Sequence, residues 1–320
     1  MKVENQEPIN LACSINESYV LPFAVTLFSL LTNSSKKYAI NLFIIDSGVL
    51  GPTKEKLNDI FRSSLVNLRW IPIPESLCSD LPLWGRHNMQ VYHSIFLDRL
   101  LPEDIHKVLF LDTDLLILGN IEDLWDEELD HSMLAAVQDM AIPVVSAPMG
   151  LACYKDLGLS ALAPYFNAGV LLINLKKWRS TNTTDKAVAY LKENHTRVAL
   201  HDQDGFNAVL SSSWKALDLR WNVIASIAGR SFFEPQYLDK EQYKRAAKDP
   251  WIIHYAGYLK PWQANLGNPF DKIYKDYLAG QNWFNGEVSE DFSNKIFGFY
   301  DRHLRQLFYP IERFLWNKLR

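Results

Sequence analysis

Apolar residues in the first third of the chain form two alternating patterns. Short continuous apolar runs are typical of buried strands, and they occur at residues 9–14, 39–46, 66–71 and 107–111. Apolar residues at three- and four-residue spacing predict helices, and these segments are 21–31, 53–63 and 90–101. The alternation predicts an α/β fold in which a mostly parallel central sheet carries helices on both faces.

The pattern continues less regularly and then changes near residue 266. Further strands are predicted at 133–138, 168–174 and 251–254, and further helices at 185–194 and 202–210. Residues 267–286 are rich in loop-forming and aromatic residues, and 297–320 has the spacing of an amphipathic helix interrupted by Pro310. We therefore expect a catalytic domain at 1–265 and a C-terminal tail at 266–320.

Composition and charge exclude several classes of protein. The net charge of -4 and the pI of about 6.1 leave no basic excess for binding nucleic acid. The three cysteines are widely spaced and form no C-x-x-C, which argues against a disulfide framework and a cysteine zinc site. The N-terminus has no apolar signal region and no apolar run is long enough to span a bilayer, so we predict a cytoplasmic protein.

The stretch VLFLDTDLLI, residues 108–117, places two acids after an apolar strand. Residues i and i+2 of an extended strand point to the same side, so Asp112 and Asp114 should project together. Neighbouring carboxylates repel each other unless a cation lies beside them, and hard oxygen ligands suit Mg²⁺ or Mn²⁺. The pair predicts a divalent-cation site for a phosphate ligand; the alternative is a solvated strand end with two surface acids.

Four other stretches place polar residues near predicted strand or helix ends. In FNAGVLLINLKKW, residues 166–178, small residues at 168 and 169 permit a ligand to approach the backbone closely. HDQDGFN begins a predicted helix at His201, where its acids could bind a ligand or cap the helix. In IIHYAGYLKPW, residues 252–262, His254 could complete a metal site and Lys260 could neutralise a phosphate. The fourth stretch, INESYVLPFAV, spans the first strand-to-helix turn.

Together these stretches resemble the glycogenin-like retaining glycosyltransferases of family 8. The resemblance is strongest to bacterial lipopolysaccharide galactosyl- and glucosyltransferases, and it covers residues 9–262 with every motif in family order. It implies a GT-A fold and transfer of a hexose from UDP-glucose or UDP-galactose, with retention of anomeric configuration. The implied acceptor is a saccharide of a bacterial surface glycan or a lipid-linked oligosaccharide.

The resemblance also implies roles for individual residues. The ligands of Mn²⁺, or alternatively Mg²⁺, would be Asp112, Asp114 and His254. The residues around the donor sugar would be Asn167, Asp202 and Gln203, with Gln203 and Asp202 as the catalytic pair. The diphosphate would be held by Gly257 and Lys260, and the uracil by Tyr19 and Asn16.

The chain departs from the family pattern at two positions. Relatives carry an acid where this chain has Asn16, with Glu17 beside it, although an amide can also pair with uracil. Relatives carry an arginine where this chain has Ser94, and Arg86 or Arg99 could replace it. The missing arginine motivates an alternative function, a UDP-sugar-binding protein without turnover.

A second alternative is a metal-dependent phosphatase. Phosphatases of the haloacid dehalogenase type also have an apolar strand followed by D-x-D. In them the second Asp is typically followed by a small residue, whereas here Leu115 and Leu116 follow. Their motif also usually begins the catalytic domain, whereas here several predicted strands precede it.

The end of the chain combines an apolar stripe with positive charge. The stripe consists of Phe297, Tyr300, Leu304, Leu307, Ile311 and Leu315. Five basic residues in the same segment outnumber two acids; the basic residues are Arg302, Arg305, Arg313, Lys318 and Arg320. A basic amphipathic helix suits an anionic membrane, so we predict peripheral binding to the inner face of the plasma membrane. The alternative is a terminal helix that packs on the core.

Overall fold

The computed structural model describes residues 7–63, 65–83, 89–228, 236–257, 260–263 and 268–279. Its strands are β1 Ile9–Ile15, β2 Ile40–Asp46, β3 Val66–Pro72, β4 Lys107–Leu111, β5 Leu115–Ile117, β6 Leu134–Gln138, β7 Phe166–Asn174, β8 Trp214–Ala216, β9 Val223–Ile224 and β10 Ile252–His254. Its helices are α1 Val20–Asn33, α2 Gly51–Phe61, α3 Leu97–Leu100, α4 Ile121–Trp125, α5 Leu175–Ser180, α6 Thr183–Glu193, α7 His201–Leu210, α8 Ala225–Ala228, α9 Lys240–Lys248 and α10 Pro269–Ala279. Short 3-10 helices occupy Glu17–Tyr19, Glu75–Leu77, Met89–Phe96 and Leu219–Asn222.

Seven strands form a central sheet in the order β3-β2-β1-β4-β7-β6-β8. The pairs β1–β2, β2–β3, β1–β4 and β6–β8 are parallel, whereas β7 runs antiparallel to both neighbours. The predicted mostly parallel sheet is therefore confirmed. Because β1 and β4 are adjacent and parallel, their carboxyl ends lie side by side at one edge, where ligands bind in α/β sheets.

Both faces of this sheet are buried under helices, as predicted. Side chains alternate along β1, so Leu11 joins the cluster with Phe23 of α1, and Ala12 joins the opposite cluster. That second cluster contains Trp178 of α5 and Phe206 of α7. Burial on both faces explains why these strands are continuous apolar runs instead of alternating ones.

A second, three-stranded sheet has the order β5-β10-β9. Strand β10 pairs antiparallel with β5, with His254 opposite Leu115, and parallel with β9. This pairing was not predicted, because a three-residue strand has too few positions to show a period. The pairing with β5 places His254 beside Leu115, the residue that directly follows Asp114.

Two segments differ from the predicted elements. The predicted helix at 90–101 is instead the 3-10 helix Met89–Phe96 followed by the single α-turn α3. Side chains of that segment bond to β1 and α7, so tertiary contacts override its local helical spacing. The loop-rich assignment was wrong over 269–279, where α10 begins after Asn268 and buries Phe270 and Tyr274 on one face.

The predictions for the C-terminal part of the chain fall on both sides of Ala279, the last residue that the structure describes. The amphipathic segment at 297–320 lies outside the described residues. Helix α10 packs on the core through an aromatic group in which Tyr274 lies 5.2 Å from Tyr255 and 5.4 Å from Trp262, measured between ring centroids. The domain boundary at 265/266 stays a prediction. Among the described helices none is both long and apolar enough to cross a membrane.

Candidate active site

The acidic pair lies in the bend between β4 and β5 and not within a strand. The Asp112 backbone N–H donates to the Gly169 carbonyl (2.9 Å), and the Tyr255 N–H donates to the Asp114 carbonyl (3.0 Å). The Thr26 hydroxyl donates to the carbonyl of the intervening Thr113 (3.1 Å). The predicted strand geometry was therefore wrong, but anchors on both sides of the bend still turn the two carboxylates toward one point.

Asp112, Asp114 and His254 form a cluster that could hold a metal ion. Each offers one ligand atom, and the three atoms lie within 4.8 Å of one another. His254 Nε2 is 3.3 Å from Asp114 Oδ1 and 3.6 Å from Asp112 Oδ2. The structure thus brings together three residues that are up to 142 positions apart in the sequence (254 minus 112).

The orientation of His254 is set by a chain of hydrogen bonds. The Gly169 N–H can only donate, so the atom it meets at 2.9 Å is the oxygen of Asn167. That oxygen also accepts from Asn222 Nδ2 (2.8 Å), which directs Asn222 Oδ1 toward His254 Nδ1 (2.9 Å). A proton on Nδ1 therefore faces Asn222, and Nε2 faces the two carboxylates. In the neutral ring the lone pair of Nε2 is then available to a metal ion held by them.

Lys260 lies against the same cluster. Its ammonium donates to Asp114 Oδ2 (2.5 Å) and to the Tyr255 carbonyl (2.8 Å), and its side chain is buried. Burial alone would raise the pKa of Asp114, but Lys260 and His254 outweigh it and hold that pKa below its usual value. Asp114 therefore stays ionised.

Asp112 behaves differently from Asp114. Desolvation, and then repulsion by Asp114, raise the pKa of Asp112 to about 6. Burial acts to lower the pKa of His254, but the carboxylates of Asp114 and Asp112 raise it overall. Above the pKa of Asp112 both acids are ionised, and a cation bound between them would relieve their mutual repulsion.

The small residues of the FNAG segment serve the cluster itself. A Cβ on Gly169 would lie 2.4 Å from His254 Cε1, so the close approach predicted at this glycine is made by protein side chains and not by a ligand. Gly257 has a positive φ of 102°, a conformation that other residues rarely adopt, and it lies between His254 and Lys260 in the chain.

A polar group surrounds Gln203 beside the cluster. Gln203 Oε1 accepts from the Ala168 N–H (3.0 Å), and its Nε2 donates to Asp139 Oδ2 (3.1 Å). Asn167 Nδ2 also donates to Asp139 Oδ2 (2.9 Å). Sequence reasoning missed Asp139 and Asn222. Asp139 follows β6 as Asp112 follows β4, which is the signal that could have revealed it.

Asp202 belongs to this group, and it is not the cap of α7. Asp204 is the residue that accepts backbone N–H groups at the helix start, from Ala199 (2.6 Å) and Leu200 (3.2 Å). Asp202 accepts from the hydroxyl of Ser94 (2.7 Å) and, at the helix start, only from the N–H of its neighbour Gln203 (2.8 Å). Burial raises the pKa of Asp202 to about 8, and the bond from Ser94 offsets this only partly.

The first strand-to-helix turn places Tyr19 near the cluster. Its ring lies 6.1 Å from that of Trp262, and Asn16 Oδ1 accepts from the Tyr19 N–H (3.2 Å). Glu17 points elsewhere, because its carboxylate accepts from the Leu50 N–H and the Thr53 hydroxyl at the start of α2. Of the two acceptor groups in this turn, only Asn16 remains beside Tyr19.

Arg99, one of the two arginines considered as substitutes, is held away from Ser94 by another partner. Arg99 forms an ion pair with Asp185 (2.5 Å), and its side chain is 42% exposed, so it points to solvent. Arg86 lies outside the described residues. The idea that Arg99 replaces the missing arginine was therefore wrong.

Comparisons with known proteins agree with this geometry. The sequence profile of glycosyl transferase family 8 matches residues 10–265. General stress protein A of Bacillus subtilis is 25% identical, over 88% of this chain and 96% of that protein, and a lipopolysaccharide 1,2-glucosyltransferase of Escherichia coli is 25% identical, over 88% and 80%. The galactosyltransferase LgtC was solved in complex with donor and acceptor sugar analogues, and it superposes with a TM-score of 0.74 at 21% identity. The superposition covers 87% of this chain and 98% of LgtC, and it confirms the GT-A fold. The chain belongs to glycosyltransferase family 8.

Proposed function

We propose that the chain transfers a hexose, glucose or galactose, from a UDP-sugar to a saccharide acceptor with retention of anomeric configuration. The observation that carries the proposal is the convergence of Asp112, Asp114 and His254 next to the Lys260 ammonium. A cation site beside a lysine is suited to a diphosphate leaving group. The lipopolysaccharide enzymes among the relatives favour an acceptor from a bacterial surface glycan or a lipid-linked oligosaccharide.

The donor set of the cluster fits Mn²⁺, with Mg²⁺ as the alternative. Two carboxylate oxygens suit either ion, whereas the imidazole nitrogen of His254 favours the transition metal. Asp112, Asp114 and His254 would hold the ion, which when bound stabilises the charge that builds up on the departing diphosphate. The orientation of His254 by Asn222 is the feature of this structure that best supports a metal ligand.

Lys260 would complete the binding of the diphosphate. An ammonium has three N–H donors, and Asp114 and the Tyr255 carbonyl use two of them. The third can donate to a phosphate oxygen without breaking either bond. Gly257, with its positive φ, allows the chain between His254 and Lys260 to turn toward the same ligand.

At the other end of the donor, Asn16 and Tyr19 would bind uracil. The oxygen of Asn16 already accepts from the Tyr19 N–H and the Ser18 hydroxyl. Its amide NH₂ is therefore the group that it can offer, and a uracil carbonyl is the matching acceptor. The ring of Tyr19 would stack on the base.

The donor hexose would lie against Asn167, Asp202 and Gln203, and Asp139 joins them in the structure. Gln203 is a neutral amide whose two ends are both hydrogen-bonded, which makes it a poor nucleophile. We therefore favour attack by the acceptor on the face from which UDP leaves, with the departing phosphate oxygen taking the acceptor's proton. Asp202, the other catalytic residue of the proposal, would bind sugar hydroxyls.

One experiment tests the reaction. The protein is incubated with UDP-glucose or UDP-galactose and a saccharide acceptor, with and without Mn²⁺, and UDP release and product anomericity are followed. We expect metal-dependent release of UDP and a product that retains the anomeric configuration. Asp114→Asn should abolish the reaction. Asp276→Asn, which changes an exposed acid on α10, should leave it unchanged. Binding of UDP without turnover would support the alternative function, and an inverted product would contradict the proposed mechanism. The phosphatase alternative loses its support through the family match.

A further inference from the structure

The 3-10 helix Met89–Phe96 connects the end of β1 to the start of α7. The Gln90 side chain donates to the Ser14 carbonyl (2.6 Å), and His93 Nδ1 bonds the Ser14 hydroxyl (2.7 Å). One residue further on, the Ser94 hydroxyl donates to Asp202 Oδ2 (2.7 Å). Ser94 is 1% exposed, so its hydroxyl meets Asp202 inside the protein and not across solvent.

Both acids beside Gln203 are bound by neutral donors. Asp202 accepts from Ser94 and from the Gln203 N–H (2.8 Å). The four donors to Asp139 are all neutral N–H groups, from Ala141, Ile142, Asn167 and Gln203. Among the ion pairs of the described residues, none joins a lysine or arginine to either acid, and Arg99 is bound to Asp185.

This arrangement determines what Asp202 can bind. Each carboxyl oxygen has two lone pairs, so Asp202 keeps acceptor capacity after its bonds to Ser94 and Gln203 are made. Asp202 is also partly exposed, so a sugar hydroxyl can reach it. The bond from Ser94 fixes the direction in which the remaining lone pairs point.

We propose that Ser94 is a positioning residue whose neutral hydroxyl fixes the Asp202 carboxyl group in the orientation that binds the donor sugar. The inference rests on the proposed function and concerns the donor side of the same site. Ser94 acts through Asp202 and does not touch the sugar. An arginine at this position would add a positive charge beside Asp202, whereas the serine orients the carboxyl group without adding one.

The first test asks which part of the donor depends on Ser94. UDP and UDP-glucose are titrated by calorimetry into the Mn²⁺-loaded wild-type protein and into Ser94→Ala. We expect the variant to bind UDP with wild-type affinity and UDP-glucose more weakly, because only the sugar would contact Asp202. An equal loss for both ligands would overturn the proposed role of Ser94. Failure of both ligands to bind to the wild-type protein would instead contradict the proposed function itself.

The second test measures turnover in Ser94 variants. Ser94→Ala should lower kcat/KM for UDP-glucose about tenfold, the typical effect of leaving one buried hydrogen-bond partner unsatisfied, and leave the affinity for UDP unchanged. Ser94→Thr keeps the hydroxyl and should restore activity. Ser94→Ala should also move the limb of the pH–rate profile that reports Asp202 to higher pH, because the lost bond favours the ionised form.

A matched control separates positioning from a general loss of stability. Thr184 is buried, and its hydroxyl donates to the Ile95 carbonyl (2.8 Å), so it supports the same segment at the residue after Ser94. Thr184→Val removes this support without touching Asp202. It should lower the melting temperature and leave the pH profile in place. The positioning role is wrong if Ser94→Ala, folded by circular dichroism, keeps the wild-type kcat/KM and pH profile.

Discussion

Gly169 lies directly against the imidazole of His254, so closely that the space for a methyl group is missing. A Cβ at Gly169 would fall 2.4 Å from His254 Cε1 and 2.9 Å from Asp112 Oδ2. Both distances are shorter than any ordinary contact of a Cβ atom. Two of the three residues of the metal cluster, His254 and Asp112, can therefore approach β7 only because residue 169 has no side chain.

Replacing Gly169 by alanine should weaken metal binding. The added methyl group must push His254 and Asp112 away from β7, which separates their ligand atoms. We expect the affinity for Mn²⁺, measured by calorimetry without nucleotide, to fall at least about tenfold in Gly169→Ala, the lower end of the losses seen when metal ligands are disturbed. Gly51→Ala is the control, because nothing lies within 4 Å of a Cβ there. Wild-type affinity in Gly169→Ala would contradict this account of the site.

Asn222 should affect the affinity for the metal ion although it would not be one of the ligands. Its oxygen accepts the Nδ1 proton of His254 and so leaves Nε2 available as a ligand. Asn222→Ala should reduce Mn²⁺ affinity by about 10- to 100-fold, the range typical of partners that orient a ligating histidine. Asn58→Ala, which removes the amide that accepts from Trp70 Nε1 near the surface, is the control for loss of one asparagine. An unchanged Mn²⁺ affinity would show that the ring is held by other contacts.

Metal binding should depend on pH through Asp112. Its pKa is raised to about 6 by burial and by Asp114, so the carboxyl is protonated below that pH and ionised above it. A proton on Asp112 competes with the cation, and a protonated His254, whose pKa is also raised, competes in the same direction. The Mn²⁺ affinity should therefore fall by about tenfold or more per unit below about pH 6, and the titration of His254 should extend the decline to higher pH. Calorimetric titration of Mn²⁺ over this pH range checks the prediction. Asp112→Asn should flatten the pH dependence of the Mn²⁺ affinity. A constant affinity down to about pH 5 would contradict the role of Asp112 as a ligand.

The residues of the metal cluster could be predicted because each closely follows an apolar strand or lies at its end. Periodicity reveals such strands, and the carboxyl edge of the sheet then follows from the parallel order. Asn222 could not be predicted in this way, because its role depends on hydrogen bonds to Asn167 and His254, which are far away in the chain. The contact between Ser94 and Asp202 is equally non-local, so the sequence showed a missing arginine and not what the serine does.

Lys260 should couple the binding of metal and nucleotide. Its ammonium lies 2.5 Å from Asp114 Oδ2, where its positive charge lowers the affinity of the site for a cation when no nucleotide is present. With a diphosphate bound, the same charge becomes favourable. Lys260→Met should therefore bind Mn²⁺ alone more tightly and bind UDP in the presence of Mn²⁺ more weakly, by about tenfold each for a typical coupling between sites.

Calorimetric titration of Mn²⁺ with and without UDP measures this coupling directly. Lys54→Met is the matched control, because Lys54 also pairs with an aspartate, Asp46, at the end of β2, which is separated from β4 by β1 in the sheet. It should change neither affinity. If Lys260→Met weakened Mn²⁺ binding in the absence of nucleotide, the lysine would be orienting Asp114 and not opposing the cation.

The C-terminal segment should bind anionic membranes independently of catalysis. Its five basic residues and its apolar stripe, both within 297–320, suit a negatively charged lipid surface. Deleting residues 287–320 keeps α10, which is anchored to the core by the bond from the Tyr255 hydroxyl to the Phe270 carbonyl (2.8 Å) and by the ring of Tyr274 against Trp262. The truncated protein should therefore keep its metal-dependent hydrolysis of UDP-sugars.

Cosedimentation with vesicles tests the membrane part of this prediction. The full chain should sediment with vesicles rich in phosphatidylserine but not with phosphatidylcholine alone, and about 0.5 M salt should release much of it, because screening weakens attraction between exposed charges. The truncated chain should stay in the supernatant with both. If truncation leaves sedimentation unchanged, the membrane-binding surface lies elsewhere. If it instead lowers the melting temperature of the catalytic part, the segment packs on the core, because only a segment that contacts the folded domain can stabilise it.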